Sequence, residues 1–116
     1  MKQRELKFRA WEGGKMHYDL SYITMTGGAM GADRPLIKPV LMQYIGVDDC
    51  NGQMMYEGDV YRADGMLPTT VIFEDGVFRG DGGSSEGVAY DNEWYGGTVE
   101  VIGNIYENPE LVSGGN

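Results

Sequence analysis

Thr69-Thr70-Val71-Ile72-Phe73-Glu74-Asp75-Gly76-Val77-Phe78 is the stretch whose reading decides the fold. Thr69 to Phe73 are β-branched or aromatic, side chains that crowd a helix and suit a pleated surface. Asp75-Gly76 supplies two consecutive positions that tolerate the positive φ of a tight type I′ turn, and Val77-Phe78 resumes on the far side. The stretch therefore reads as a β-hairpin. Asn51-Gly52 is the same device in its strongest form, following the apolar run Val40-Leu41-Met42-Gln43-Tyr44-Ile45, and Asp64-Gly65 repeats it.

Working outward, period-two alternation governs the start of the chain. In Arg4 to Trp11, Leu6, Phe8 and Ala10 fall on one face and Glu5, Lys7 and Arg9 on the other, which predicts a half-buried strand with one wet face. Glu12-Gly13-Gly14-Lys15 reads as a turn into Met16-His17-Tyr18, closing a first hairpin. Thr26 to Pro39 contains Gly27, Gly28, Gly31, Pro35 and Pro39 and is expected to be a long irregular connection. It divides the chain into an N-terminal hairpin lobe with its glycine-rich loop, 1–39, and a second β portion, 40–116. Towards the end, Thr98 to Tyr106 reads as a last strand with Val99, Val101 and Ile105 on one face. Gly103 there marks a bulge or a close backbone approach, and Asn108-Pro109 stops the strand. Arg79 to Ser85 reads as a polar loop, and Glu86 to Tyr95 holds at most a turn of helix.

The 116 residues suit one domain, or one domain with a small lobe. No apolar run approaches the roughly 18–20 residues that span a bilayer, and Met1 to Ala10 lacks the apolar core of a signal peptide. The expected compartment is the cytoplasm. Net charge is −9, unevenly spread: residues 1–47 sum to +3, whereas residues 48–116 hold fourteen acids against Arg62 and Arg79. A surface of that sign repels phosphate, so nucleic-acid binding through the C-terminal part is not expected.

The candidate chemistry is sparse. Cys50 is the only cysteine, so no internal disulfide or cysteine-based zinc cage can form, and its one possible histidine partner, His17, lies in a different hairpin. Asp49-Cys50-Asn51-Gly52 hints at a calcium loop, but with Gly52 as the invariant glycine the last ligand position falls on Gly58. A polar turn is the simpler reading. Gly27-Gly28-Ala29-Met30-Gly31 lacks the lysine and following helix of a phosphate loop. Glu57, Asp59 and Glu74 are the carboxylates that acid–base or magnesium chemistry would use, yet each sits beside a turn. Trp11, Tyr90, Trp94 and Tyr95 could stack on bases or sugars, or simply pack. No catalytic, metal or cofactor-binding set emerges.

Three segments together resemble the YopX family of bacteriophage and prophage proteins. They are Arg4-Glu5-Leu6-Lys7-Phe8-Arg9-Ala10-Trp11 with the later Lys15-Met16; Leu41 to Gly52 leading into Met55-Tyr56-Glu57-Gly58-Asp59-Val60; and Val101-Ile102-Gly103-Asn104-Ile105-Tyr106-Glu107-Asn108-Pro109-Glu110-Leu111. The resemblance implies a mainly β protein of antiparallel hairpins, with an SH3-like barrel in the 40–116 portion and a tendency to self-associate. It carries over no catalytic residues, since the family has no established biochemical function.

Three functions stay open. The first is a non-enzymatic binding or regulatory module, a homo-oligomer in the bacterial host cytoplasm acting on a host or phage macromolecule, with Lys7, Arg9, Trp11, Tyr90, Trp94 and Tyr95 as its candidate surface. The second is a nucleic-acid or nucleotide-binding module built on the basic N-terminal strand. The third is a carboxylate-based enzyme using Glu57, Asp59 or Glu74.

Overall fold

The structure, a computed structural model, describes residues 6–63, 67–81 and 99–112. The protein is mainly β, built from curled antiparallel sheets that include a half-barrel, with a single short 3-10 turn and no α-helix among the described residues. It divides into two compact units, Met1–Tyr44 and Ile45–Asn116.

In the first unit, β1 (Phe8–Glu12) and β2 (Lys15–His17) form the expected hairpin, with Glu12 opposite Lys15. Gly13 and Gly14 both have positive φ, 63° and 77°, as a two-residue type I′ turn requires. The other edge of β1 pairs antiparallel with the start of β5 (Val40–Asp48), Phe8 facing Gln43 and Trp11 facing Val40. Ala10, Ala29 and Leu36 form the core, with Leu20 and Leu41 against it.

One expectation fails in this unit and another is refined. Arg9 is not on a wet face: it is only 2% exposed. Tyr18, just after β2, is one of its neighbours: the Arg9 guanidinium lies 6.0 Å from the Tyr18 ring centroid and Nη1 donates to the Tyr18 hydroxyl at 3.4 Å. The 26–39 connection is irregular over most of its length, as expected, but it includes a short strand and an isolated bridge between Met30 and Pro35. β3 (Tyr22–Ile23) and β4 (Ala29–Met30) make a small antiparallel ribbon, and the Leu36 N–H donates to the Ala29 carbonyl at 2.9 Å. The glycines here serve tight turns within an ordered segment, and Leu36 from that segment is buried.

In the second unit, β6 (Met54–Tyr56) adds to β5, and a four-stranded sheet runs in the order β10-β7-β8-β9. Its strands are β7 (Asp59–Arg62), β8 (Thr69–Glu74), β9 (Val77–Asp81) and β10 (Glu100–Asn104). The β8–β9 hairpin is the one read from the sequence, with Glu74 opposite Val77 and positive φ at Asp75 (57°) and Gly76 (83°). Met55, Tyr61, Val71 and Val99 make the core. Gly80 is required there, because a Cβ on it would collide with the Tyr61 hydroxyl and lie 2.8 Å from Thr69 Cγ2. Gly103 is the expected irregularity: the register shifts between Val101 and Gly103, and a Cβ would lie 2.5 Å from Asn108 Oδ1.

The Asn51-Gly52 turn differs in kind from the expectation. Gly52 has φ 81°, but the non-glycine residues with positive φ among those described are Lys38 and Asp75, so Asn51 does not adopt the type I′ geometry. Instead the Gly52 N–H closes on the Asp49 carbonyl at 3.0 Å and the Asp49 N–H on the Gln53 carbonyl at 2.8 Å. This is a turn followed by a left-handed glycine. The Asp64-Gly65 turn and the Glu86 to Tyr95 segment lie outside the described residues.

Candidate functional site

Glu12 ends β1 with its carboxylate buried, and that fixes what surrounds it. Arg34, on the loop after β4, grips it with both guanidinium ends, Nη1 to Oε2 and Nη2 to Oε1, each 2.8 Å. The Ile37 N–H donates to Oε2 at 2.8 Å, and His17 Nε2 lies 3.2 Å from Oε1. A planar fork on a carboxylate is the strongest pairing side chains offer, because two parallel charge-assisted bonds also fix orientation. The Arg34 guanidinium, then the Ile37 amide, hold the Glu12 carboxyl at about 2, far below the 4.5 of a free glutamate. The same pairing raises Arg34.

This clasp pins the 31–37 loop against the β1–β2 hairpin and shapes a cavity of about 560 Å3 in the first unit. Met16 and Leu36, both buried, contribute apolar wall, while Lys15, His17, Tyr18, Asp19, Asp33 and Arg34 supply the polar lining. Glu12 is not among the lining residues, so it anchors two of them from behind.

The chain leaves the cavity at Asp19 and returns at Gly31, and the β3–β4 ribbon lies between. The Ser21 N–H donates to the Met30 carbonyl at 2.9 Å and the Thr24 N–H to the Gly28 carbonyl at 2.9 Å, so the ribbon is ordered. Ala29 reaches the core, but other apolar side chains of the ribbon do not: Tyr22 is 58% exposed, Ile23 37%, and Met25 fully exposed at the tip; Tyr18, before the ribbon, is 57% exposed. Leu20 to Ala32 carries no charged residue in a chain that is 23% charged.

The sequence-derived candidates scatter. Lys7 is exposed, Trp11 half-buried and Arg9 buried under Tyr18; Tyr90, Trp94 and Tyr95 lie outside the described residues. Cys50 is exposed in the β5–β6 turn. Asp59 is buried and its Oδ2 accepts the Tyr56 N–H at 2.8 Å; Glu57 is half-buried, and Glu74 is exposed, 3.5 Å from Arg79. Among the described residues no group of three or more His, Cys, Asp or Glu comes together as a metal site. No described helix is long and apolar enough to cross a membrane.

The acidic and amide residues of the second unit's motifs serve the backbone. Asp49 Oδ1 accepts the Asn51 and Gln53 N–H groups at 2.9 Å each, and Oδ2 accepts that of Val101 at 3.0 Å. Asn104 Oδ1 accepts from Tyr106 and Glu107, and its amide donates to Glu107 Oε1 at 2.8 Å. Side chains spent in this way hold turns that no ladder satisfies.

The site residues that sequence reasoning missed are Glu12, Arg34, Tyr22, Ile23 and Met25. The ribbon had a usable signal, an uncharged stretch holding Tyr, Ile and Met that fits neither a helix nor a long strand. The Glu12–Arg34 pair had none, since the two lie 22 residues apart.

Residues 20–113 match the model of the YopX protein family. The chain is 30% identical to a protein of Bacillus subtilis strain 168 described as a prophage SPbeta-derived uncharacterized protein, YopX, with 92% of this chain and 96% of that one aligned. The crystal structure of yopX from Bacillus subtilis superposes with a TM-score of 0.58 at 26% identity, covering 91% of this chain and 97% of that one. A crystal structure of the protein EF1440 from Enterococcus faecalis shares the fold, with a TM-score of 0.77 at 21% identity, over 96% of this chain and all of the other.

Proposed function

Because this chain belongs to the YopX family, we propose that it is a phage- or prophage-encoded, non-enzymatic binding module acting on a host or phage protein in the bacterial cytoplasm. One observation carries the reading: the β3–β4 ribbon is ordered by its own hydrogen bonds yet leaves Tyr22, Ile23 and Met25 exposed to water. Apolar side chains held out on an ordered ribbon keep hydrophobic surface in solvent, which is the pattern of a surface awaiting a partner. Tyrosine and methionine are the residue types that interfaces favour, tyrosine for its rigid amphipathic ring and methionine for its adaptability.

The test is affinity capture from bacterial and phage-infected lysates with the wild-type chain and a Tyr22→Ser/Met25→Ser variant, after circular dichroism shows both folded. A protein retained by the wild type and lost with the variant supports the reading. Retention that is indifferent to both substitutions removes it, and recovery of the chain's own copies alone points instead to self-association.

A further inference from the structure

We propose that Asn51 is a site of spontaneous covalent modification. It loses its side-chain amide to attack by the Gly52 nitrogen, at a rate set by opening of the 49–53 turn, and the product unfastens that turn from β10. This stands apart from the binding role of the ribbon.

The reaction needs an asparagine followed by a residue whose nitrogen is unhindered, and Asn51-Gly52 is the chain's single Asn-Gly pair. Both residues are exposed to water. The Gly52 nitrogen gives up its proton and bonds to Asn51 Cγ; the Cγ–Nδ2 bond breaks, and ammonia leaves carrying that proton. Water then opens the cyclic imide at either carbonyl, giving aspartate or isoaspartate. Overall a water is consumed and an ammonia released, with no oxidant, reductant or enzyme.

The turn engages both reacting groups. The Gly52 N–H donates to the Asp49 carbonyl at 3.0 Å, and Asn51 Nδ2 donates to Glu100 Oε2 at 3.4 Å. The Asn51 N–H is fixed on Asp49 Oδ1 at 2.9 Å. These bonds must open before the Gly52 nitrogen can reach Cγ, and the Asp49 and Glu100 carboxylates disfavour the amide anion that attacks. The folded chain therefore reacts more slowly than an unstructured copy of the same residues.

The product matters because of what the turn holds. The Asp49 N–H donates to the Gln53 carbonyl at 2.8 Å and the Gln53 N–H to Asp49 Oδ1 at 2.9 Å, closing the turn around Asn51. From this turn the Cys50 N–H donates to the Val99 carbonyl at 2.9 Å, and the Val101 N–H reaches Asp49 Oδ2 at 3.0 Å. Isoaspartate routes the backbone through Cβ, which adds a backbone atom inside the closed turn. Either product removes the amide donor and adds a negative charge beside Asp49 and Glu100.

The full chain, its Asp49→Asn and Gly80→Ala variants, and a capped Asp-Cys-Asn-Gly-Gln peptide would each be incubated at mildly alkaline pH and physiological temperature under reductant. Chromatography and mass spectrometry then follow the products. The mass change of replacing NH2 by OH should appear at Asn51, as both aspartate and isoaspartate, and not at Asn104 or Asn108. Wild type should react severalfold more slowly than the peptide. Asp49→Asn, which loosens the turn, should react faster than wild type, whereas Gly80→Ala, which strains the same unit away from the turn, should leave the rate unchanged. The isoaspartate chain, isolated by its extra charge, should lose hydrogen-exchange protection at the Val101 amide relative to fresh protein. No conversion at Asn51 while the peptide converts would overturn the proposal, as would conversion at the peptide's own rate. Equal acceleration by Asp49→Asn and Gly80→Ala would contradict control by the turn, and a Val101 amide equally protected in both forms would contradict the unfastening.

Discussion

Arg34 binds Glu12 end-on, both guanidinium nitrogens 2.8 Å from the two carboxylate oxygens, and so ties the loop after β4 to the end of β1. The ion pair lies between residues 22 apart in sequence, with the Ile37 N–H and His17 completing the carboxylate's surroundings.

That arrangement has a pH signature. The Glu12 carboxyl is lowered from 4.5 to about 2 by folding, so it contributes stability that is fully present above about 4.5 and is lost as pH falls through about 2. Acid unfolding followed by near-ultraviolet circular dichroism should show a wild-type advantage over Glu12→Gln that disappears across this window. A constant difference between the two proteins from pH 6 to pH 1.5 would count against the pairing. Arg34→Lys keeps the charge but loses the fork, so it should fall between them at neutral pH.

Asp49 supports a second prediction. Its carboxylate receives three backbone N–H groups, from Asn51, Gln53 and Val101. Asp49→Ala should cost about 2–3 kcal/mol of unfolding free energy in urea, the range for stranding buried donors, and Asp49→Asn less because it keeps one oxygen. A cost below about 0.5 kcal/mol for the alanine variant would mean that this carboxylate does not hold the turn.

Gly80 and Tyr61 should be coupled. A methyl at position 80 meets the Tyr61 hydroxyl, so Gly80→Ala is expected to cost about 1–3 kcal/mol. Tyr61→Phe removes the obstructing oxygen, and Gly80→Ala should therefore cost less in that background. The relief is partial, because Thr69 Cγ2 still presses on the same spot. A double-mutant cycle with a coupling of about 0.5 kcal/mol or more in that direction is the expected outcome; strict additivity contradicts it.

The β8–β9 turn gives a simpler case. Gly76 has φ 83°, where an L side chain is strained, so Gly76→Ala should destabilise by about 1–2 kcal/mol. Asp75→Asn, which suits the left-handed region at least as well, should be neutral within about 0.5 kcal/mol. Chemical denaturation of both variants decides it.

Those two turns also show what could be read in advance. Asp75-Gly76 was legible because a two-residue hairpin is settled by the residues inside it and the strands beside it. Asn51-Gly52 was legible as a turn but not as to kind, because the Asp49 side chain organises it and one of the amides that side chain receives comes from Val101, on another strand. Arg9 shows the same limit. Alternation places it opposite Ala10, but its burial depends on tertiary contacts, among them that with Tyr18, nine residues on. For the candidate site the limit is sharper still. Patterning identifies apolar residues without saying which of them find a core, so Leu36, now buried, and Ile23, now bare, look alike in sequence.

The ribbon is proposed as the working surface, while the motif residues of the second unit hold the fold. A photoreactive side chain placed at Met25, which is fully exposed, tests it most directly, with Glu110, exposed in the second unit, as the control position. Irradiation in cells should crosslink the Met25 chain to a defined protein partner, suppressed by excess wild-type chain but not by the Tyr22→Ser/Met25→Ser variant, and the Glu110 chain should not reproduce it. Equal crosslinking from both positions, or suppression by the variant as strong as by the wild type, would contradict the account.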